Sequence, residues 1–313
     1  MLIICYNKRE FSNSKRRYIK GGKVMRKLKK LGAIVLTSLF VVSTVACGSS
    51  SSGKDDVTSR LVEAQKKMEE VKNAEATLEM KLEAVSTDED GKEESLNMST
   101  TGNIVMFSDP IKAKIEMNMA LEGLGSVDMN MYMEEKDGKY ISYTNLLGSW
   151  TATEVSLDDV DQYSLEKNAE LYIKDLKNVK EIGTEEINGE NTTKIEGEVS
   201  GEQLKSLIES SGMLDLTGLS ETETKEMEKL LANMGDLKLT VWLNDDNYMV
   251  KVSEDLTEFA NKLVKNLAEE DDTINDASFT NLVVTISYDK FNEAQDFEIP
   301  EDARNAEVTS TIE

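Results

Sequence analysis

Histidine is missing from all 313 residues, and with it go the commonest general base, the commonest metal ligand and the usual switch near neutral pH. Cysteine is nearly missing, since Cys5 and Cys47 are the only two. An exported chain that carries lipid on Cys47 and loses Cys5 keeps no internal disulfide and no thiolate for chemistry. Proline occurs only at Pro110 and Pro300, and aromatic residues make up 6%. Without a Pro- or Gly-rich linker, residues 57–313 read as one domain. The apolar run Leu31–Val42 is too short for a membrane span.

Positive charge is scarce outside the first segment. Residues 1–46 hold 11 of the 36 Lys and Arg and one of the 60 Asp and Glu, which leaves 25 basic against 59 acidic residues beyond them, a net −34. Such a surface repels phosphate backbones and anionic headgroups, which excludes nucleic acid as a partner and electrostatic adsorption to a membrane. The apolar and charged fractions, 39% and 31%, are still those of a folded protein with a core.

From Met25 the chain runs through Arg26, Lys27, Lys29 and Lys30, the apolar stretch, Ser43-Thr44-Val45-Ala46-Cys47, and then Gly48 to Gly53 with four serines between. That is a basic region, an apolar region, a cleavage site and a tether. Ala46 leaves room for a peptidase, and the Cys47 sulfur is the only nucleophile there able to accept a diacylglyceryl group. The segment resembles the lipobox of bacterial lipoproteins, departing from it at Thr44, where Leu is usual. The expected division is a lipoprotein signal peptide over 25–46, lipid on Cys47 and a flexible Ser/Gly tether over 47–56. Lys20-Gly21-Gly22-Lys23-Val24-Met25 is what a purine-rich ribosome-binding site encodes when translated in frame, so residues 1–24 are either untranslated or, with Lys15-Arg16-Arg17, an extended basic region.

Past the tether, Val57, Leu61, Ala64, Met68 and Val71 recur at helical spacing and predict an amphipathic helix. The period then falls to two. Ala74 to Ala84 alternate with polar residues, and similar alternation marks Leu96 to Met106, Ile115 to Leu121, Val127 to Met133, Tyr140 to Tyr143 and Trp150 to Thr153, an antiparallel meander. A helix is predicted near Asp158 to Leu176. Strands Val179 to Ile187 and Thr192 to Val199 flank Asn188-Gly189, a strong hairpin signal. Helices over Gly201 to Ser210 and Glu221 to Met234 precede a hairpin of Leu237 to Leu243 and Tyr248 to Val252. A helix over Leu256 to Glu269, a last strand Phe279 to Tyr288 and an exposed tail after Pro300 complete about eleven strands.

Methionine is the unusual abundance. Met117 and Met119 share a face of one strand, Met129, Met131 and Met133 share a face of the next, and Met80 and Met98 extend the set. A hairpin centred on Leu124 would put Met117 opposite Met131 and Met119 opposite Met129. An apolar face at strand spacing is consistent with ordinary core packing. It is also consistent, as the second reading, with a wall whose unbranched, polarizable side chains repack around varied apolar guests; thioether binding of Cu(I) is the remote third reading. Tyr140, Tyr143 and Trp150 lie on neighbouring strands as core or ligand-stacking residues. Asp88-Glu89-Asp90-Gly91 reads as a solvated hairpin turn, because a calcium loop there would begin at Ser86 and end at Asn97 between strands. No carboxylate pair stands in a context that raises its pKa, so no catalytic residue and no metal or other cofactor is expected.

The helix, six-strand meander and later hairpins resemble the LolA-like fold, and with a lipid anchor they look closer to LppX-type lipoproteins. The Met-rich strands, the Tyr140 to Trp150 segment and Phe297-Glu298-Ile299-Pro300-Glu301 look like a family of uncharacterised Gram-positive surface lipoproteins. The resemblance implies an α+β fold, a curved, unclosed antiparallel barrel with helices over its concave face and an apolar cavity that holds acyl chains in relatives. The expected function is non-enzymatic: a lipoprotein anchored on the outer face of the cell membrane that binds a lipid or acyl chain through Met80, Met98, Met117, Met119, Met129, Met131, Met133, Tyr140 and Trp150. The alternative is a surface interaction or sensory accessory with a filled core.

Overall fold

The alternation that begins at Asn73 is strand β1 (Asn73–Thr87), where Ala74, Ala76, Leu78, Met80 and Leu82 are buried and Glu79, Lys81 and Glu83 face water. Each large apolar side chain so buried contributes roughly 1.5–3 kcal/mol. The computed structural model describes residues 55–87, 93–155, 176–201, 236–270 and 277–310. Helix α1 (Asp55–Glu69) comes before β1 and buries the stripe Leu61, Ala64 and Met68. After β1 the meander continues through β2 (Glu93–Ser108), β3 (Ile111–Leu121), β4 (Gly125–Lys136), β5 (Lys139–Leu146) and β6 (Ser149–Val155).

The second half supplies β7 (Lys177–Ile187), β8 (Glu190–Val199), β9 (Leu237–Asn244), β10 (Met249–Asp255), helix α2 (Thr257–Glu270) and β11 (Ala277–Asp289), then α3 (Glu301–Arg304) and β12 (Val308–Ser310). Asp255 accepts the backbone N–H of Thr257 at 3.0 Å, satisfying one of the open donors at the start of α2.

The twelve strands of the described residues join one sheet in the order β12-β6-β5-β4-β3-β2-β1-β11-β10-β9-β8-β7. Two meanders meet where β11 pairs antiparallel with β1, and the sheet is unclosed, because its outer strands β12 and β7 do not pair. The main core lies on one face, here called inner, where α1 and α2 pack against β1 and β8 to β11. A smaller core lies on the outer face of β4 to β6.

The unclosed antiparallel sheet with helices on one face is the fold expected, and two features differ. The twelfth strand is the first. It belongs to the tail after Pro300 expected to be exposed: Ala303 is buried, and Val308–Ser310 pairs parallel with β6. The second difference is the β3–β4 register, which sets Met117 opposite Met129 and Ile115 opposite Met131. The Leu124 N–H donates to the Leu121 carbonyl at 3.0 Å and Gly123 has φ +77°, so the turn is type II with glycine at its left-handed third position, and the hairpin centres on Gly123. Because the shift is two residues, every methionine keeps its face.

The expected helices over 158–176, 201–210 and 221–234 lie almost wholly outside the described residues, as do the turn at 88–91, the signal peptide, Cys47 and nearly all of the tether.

Candidate functional site

Opposed residues on neighbouring strands share a face, so the registers map the inner face row by row. One row runs Ile286, Leu78, Gly102, Met117, Met129, Leu146 across β11, β1, β2, β3, β4 and β5. The row beside it runs Leu239, Glu254, Val284, Met80, Thr100, Met119, Val127, from β9 across to β4. Met131 follows from Ala76, Ile104 and Ile115, Met133 from Ala74, Met106 and Ala113, and Met98 lies between Leu82 and Leu121. Seven of the nine residues singled out in the sequence, the methionines, thus share one continuous face, which carries Met106 as well. Tyr140, opposite Glu135 on the same parity as Met133, closes that face at its far end.

Trp150 is on the other face. Its partner is Asn145, in step with Tyr132, Tyr143 and Ala152, and its ring lies 5.9 Å from that of Tyr132. Trp150 therefore packs in the outer core with Phe297, Ile299 and Ala303. The strand pattern at Gly148-Ser149-Trp150 is too short to reveal this, since the face depends on the β5–β6 register. Lys112 holds the same C-terminal segment: its ammonium is 2.6 Å from Asp296 and 4.3 Å from the Phe297 ring centre, and it holds the Asp296 carboxyl below its usual range.

Burial changes along the inner face. At β1 it is sealed, with Met80 only 2% exposed among Leu78, Leu82 and Val284. Met98, Met106 and Met117 are half-buried against that core, whereas Met119, Met129, Met131 and Met133 are half-buried outside both clusters. Every residue of β3 is half-buried on either face. An apolar face therefore continues two strands beyond the sealed core, and there its side chains are mainly thioethers.

Three positions were not anticipated. Gly102 lies in the row of Met117, where an added Cβ would stand 3.0 Å from the Met117 Cγ and 3.3 Å from the Glu116 carbonyl oxygen. This lone glycine inside a strand pattern is the readable sign of such a close approach. Thr100, 1% exposed, and Glu254, 0% exposed, have side-chain oxygens with no hydrogen-bond partner among the described residues. Loss of hydration pushes the Glu254 carboxyl up to about 8, which keeps it protonated at neutral pH. Burial first, and the nearby Glu254 second, push the Tyr288 phenol above its ordinary value. Glu254 shares the parity of Val252 and so was readable as a charged residue on an apolar face.

Among the described residues no three Cys, Asp or Glu converge as a metal site, and no helix is long and apolar enough to cross a membrane.

Among solved structures, the chain is similar to the lipoprotein LppX of Mycobacterium tuberculosis, at 13% identity over 79% of this chain and 100% of that one, with a TM-score of 0.42. It is similar to LprF of Mycobacterium bovis at 12% identity over 82% and 100%, TM-score 0.43. A LolA superfamily protein of Nitrosomonas europaea aligns at 11% identity over 77% and 94%, TM-score 0.17. No curated protein matches the sequence. The model of a family described as being of unknown function, DUF6612, matches residues 56–308, and the chain belongs to that family.

Proposed function

We propose that this protein is a lipoprotein, anchored through Cys47 at the extracytoplasmic face of the cell membrane, that binds a lipid or other acyl chain on its methionine face without catalysis. Residues 25–46 are its signal peptide, 47–56 its tether and 57–313 its single binding domain. One observation carries the reading: the inner apolar face runs on past the sealed core through Met119, Met129, Met131 and Met133, which are only half-buried. Methionine suits such a wall, because it repacks around guests of different shape where Leu or Ile would specify one packing. Met117 and Tyr140 border the same surface, and Met80 and Met98 join it to the core. A lipid anchor holds the face where acyl chains are abundant, and two or three chains on Cys47 give stable anchoring where one is marginal.

The test is uptake of a fluorescent fatty acyl probe, with mass spectrometry of the gently purified protein for retained lipid. The wild type takes up the probe, and Met119→Trp with Met131→Trp abolishes uptake while the circular dichroism spectrum is unchanged. A wild type that takes up no probe and retains no lipid overturns the reading in favour of an accessory acting through its outer surface. Cys47→Ala releases the protein from the membrane fraction or leaves its precursor uncleaved; unchanged fractionation refutes the anchor.

A further inference from the structure

The sheet ends at β7 on one side and, but for β12, at β6 on the other, and the two edges are treated differently. An edge strand offers unpaired N–H and C=O groups to any other strand unless charge, irregularity or a covering segment prevents it. β7 has the first two. Its pairing with β8 shifts between Lys177 and Lys180 and between Glu181 and Gly183, Asn178 and Gly183 have positive φ, and Lys177, Lys180, Glu181 and Glu186 are exposed. β6 has neither. It pairs with β5 along its whole length without a register shift, Glu154 is its single charge, and Trp150, Thr151, Thr153 and Val155 favour strands. What covers β6 is the chain's own tail. Phe297 and Ile299 root that tail in the outer core, Arg304 pairs with Glu134 at 3.2 Å, and Val308–Ser310 then lies parallel beside Ala152, Thr153 and Glu154. The cover is slight. It is three residues long and parallel, the less stable sense, and Val308 is 46% exposed.

We propose that the outer edge of β6 is a pairing surface for a second copy of this chain, and that β12 is the segment that holds the second copy off. The occupant follows from the sequence of β6. Paired antiparallel with itself about Ala152, the strand sets Trp150 opposite Glu154 of the other copy, Thr151 opposite Thr153 and Ser149 opposite Val155. No like charges meet, because the single carboxylate faces an aromatic ring, and threonine opposite threonine is a favourable cross-strand pair. The Thr309 hydroxyl donates to the Ala152 carbonyl at 3.1 Å, so the Ala152 backbone faces away from β5. Two copies of Ala152 can therefore exchange both their hydrogen bonds. Such a pairing opposes seven residues, against the three that β12 covers. Attachment is what favours β12 in the intact chain. Asn305, Ala306 and Glu307 alone separate it from α3, and a segment on so short a linker acts at an effective concentration on the order of mM. Because the contact joins the same patch on both copies, it closes at a dimer.

The test is disulfide trapping between full-length copies that each carry one introduced cysteine. Copies with Thr151→Cys are mixed with copies with Thr153→Cys and oxidised, and each is also oxidised alone. Wild type treated alike gives the background from Cys5 and Cys47. The same set is made on a chain that ends at Ala306, which keeps α3 and loses β12, and on a full-length chain with Thr309→Pro, which removes a backbone donor from β12. The intact chain is expected to give no dimer above background in any combination. The chain ending at Ala306 gives dimer on a non-reducing gel from the mixture and from neither cysteine alone, and Thr309→Pro falls between the two. Random collision would crosslink all three combinations alike. That result, a shortened mixture that stays monomeric, or intact chains that crosslink as readily as shortened ones would each overturn the proposal. Should the shortened chain lose its circular dichroism spectrum, the Thr309→Pro chain decides by the same outcomes.

Discussion

Replacing Glu254 by Gln removes one ionisable proton from the middle of the sheet and leaves its shape nearly unchanged. The ordinary carboxyl value of 4.5 is pushed to about 8 in the folded chain by loss of hydration. Between those two values the native state holds a proton that the unfolded state has released, so stability falls as pH rises. The contribution is fully present below the unfolded value, declines by about 1.4 kcal/mol per pH unit, and is lost above the folded one. The total is roughly 5 kcal/mol, comparable with the whole stability of an ordinary domain. Tyr288, raised further above its ordinary range, stays neutral throughout this window. Glu75, Glu185, Glu258 and Asp296 are shifted the other way, chiefly by hydrogen bonds from Lys290, Trp242, Lys262 and Lys112, so what they contribute is lost at the acid end. Urea unfolding of both proteins from about pH 5 to about pH 8 isolates Glu254. The wild type should lose about 4 kcal/mol relative to Glu254→Gln across that range. A difference between the two that stays constant within about 1 kcal/mol would show that the carboxyl is not neutral and buried.

Cysteines at Met117 and Met129 should form a disulfide readily, since directly opposed strand residues suit its geometry, whereas Met117 with Met131 should not; the reverse result, read by mass spectrometry, restores a hairpin centred on Leu124. Thr100→Val should raise the urea midpoint, by roughly 1 kcal/mol of stability, because it removes a buried hydroxyl without a partner, and a loss instead would mean the hydroxyl is satisfied. Leu147→Asn should stabilise by about 1 kcal/mol, because Leu147 is 73% exposed at φ +55° in a two-residue turn whose geometry favours Asn; an unchanged midpoint would argue against that backbone.

The strands were legible because their evidence is local. In Asn73 to Ala84 the period of two is unbroken, and burial of that face decides both the strand and its direction. Asn188-Gly189 announces its own hairpin, with φ of +52° and +84° in the fold. What escaped was whatever depends on pairing between strands. Glu122-Gly123-Leu124-Gly125 supports turns centred on either Gly123 or Leu124, and both bury the same methionines, so hydrophobic pattern cannot choose between them. The choice rests with the Gly123 backbone. Trp150 depends on the same kind of information at β5 and β6, and its face follows only from Asn145 opposite. The tail after Pro300 has little pattern of its own; it docks because Phe297 and Ile299 meet aromatic residues that the β4 to β6 registers bring to the outer face.

Glu254 is the case where the sequence held the information in a form easily passed over. In Met249-Val250-Lys251-Val252-Ser253-Glu254 the inner parity is set by Val252, and a strand ended at Val252 leaves Glu254 in an assumed loop. Continued two residues, the same alternation places a carboxylate on the buried face, where no favourable packing accounts for it and where Leu or Val would be more stable by several kcal/mol at neutral pH. That cost is not repaid inside the described structure, since neither oxygen has a partner. A second unpartnered oxygen, Thr100, lies on the same row. Two polar atoms are thus left open along one apolar line that is sealed at Glu254, Val284, Met80 and Thr100 and reaches half-buried side chains only from Met119 on.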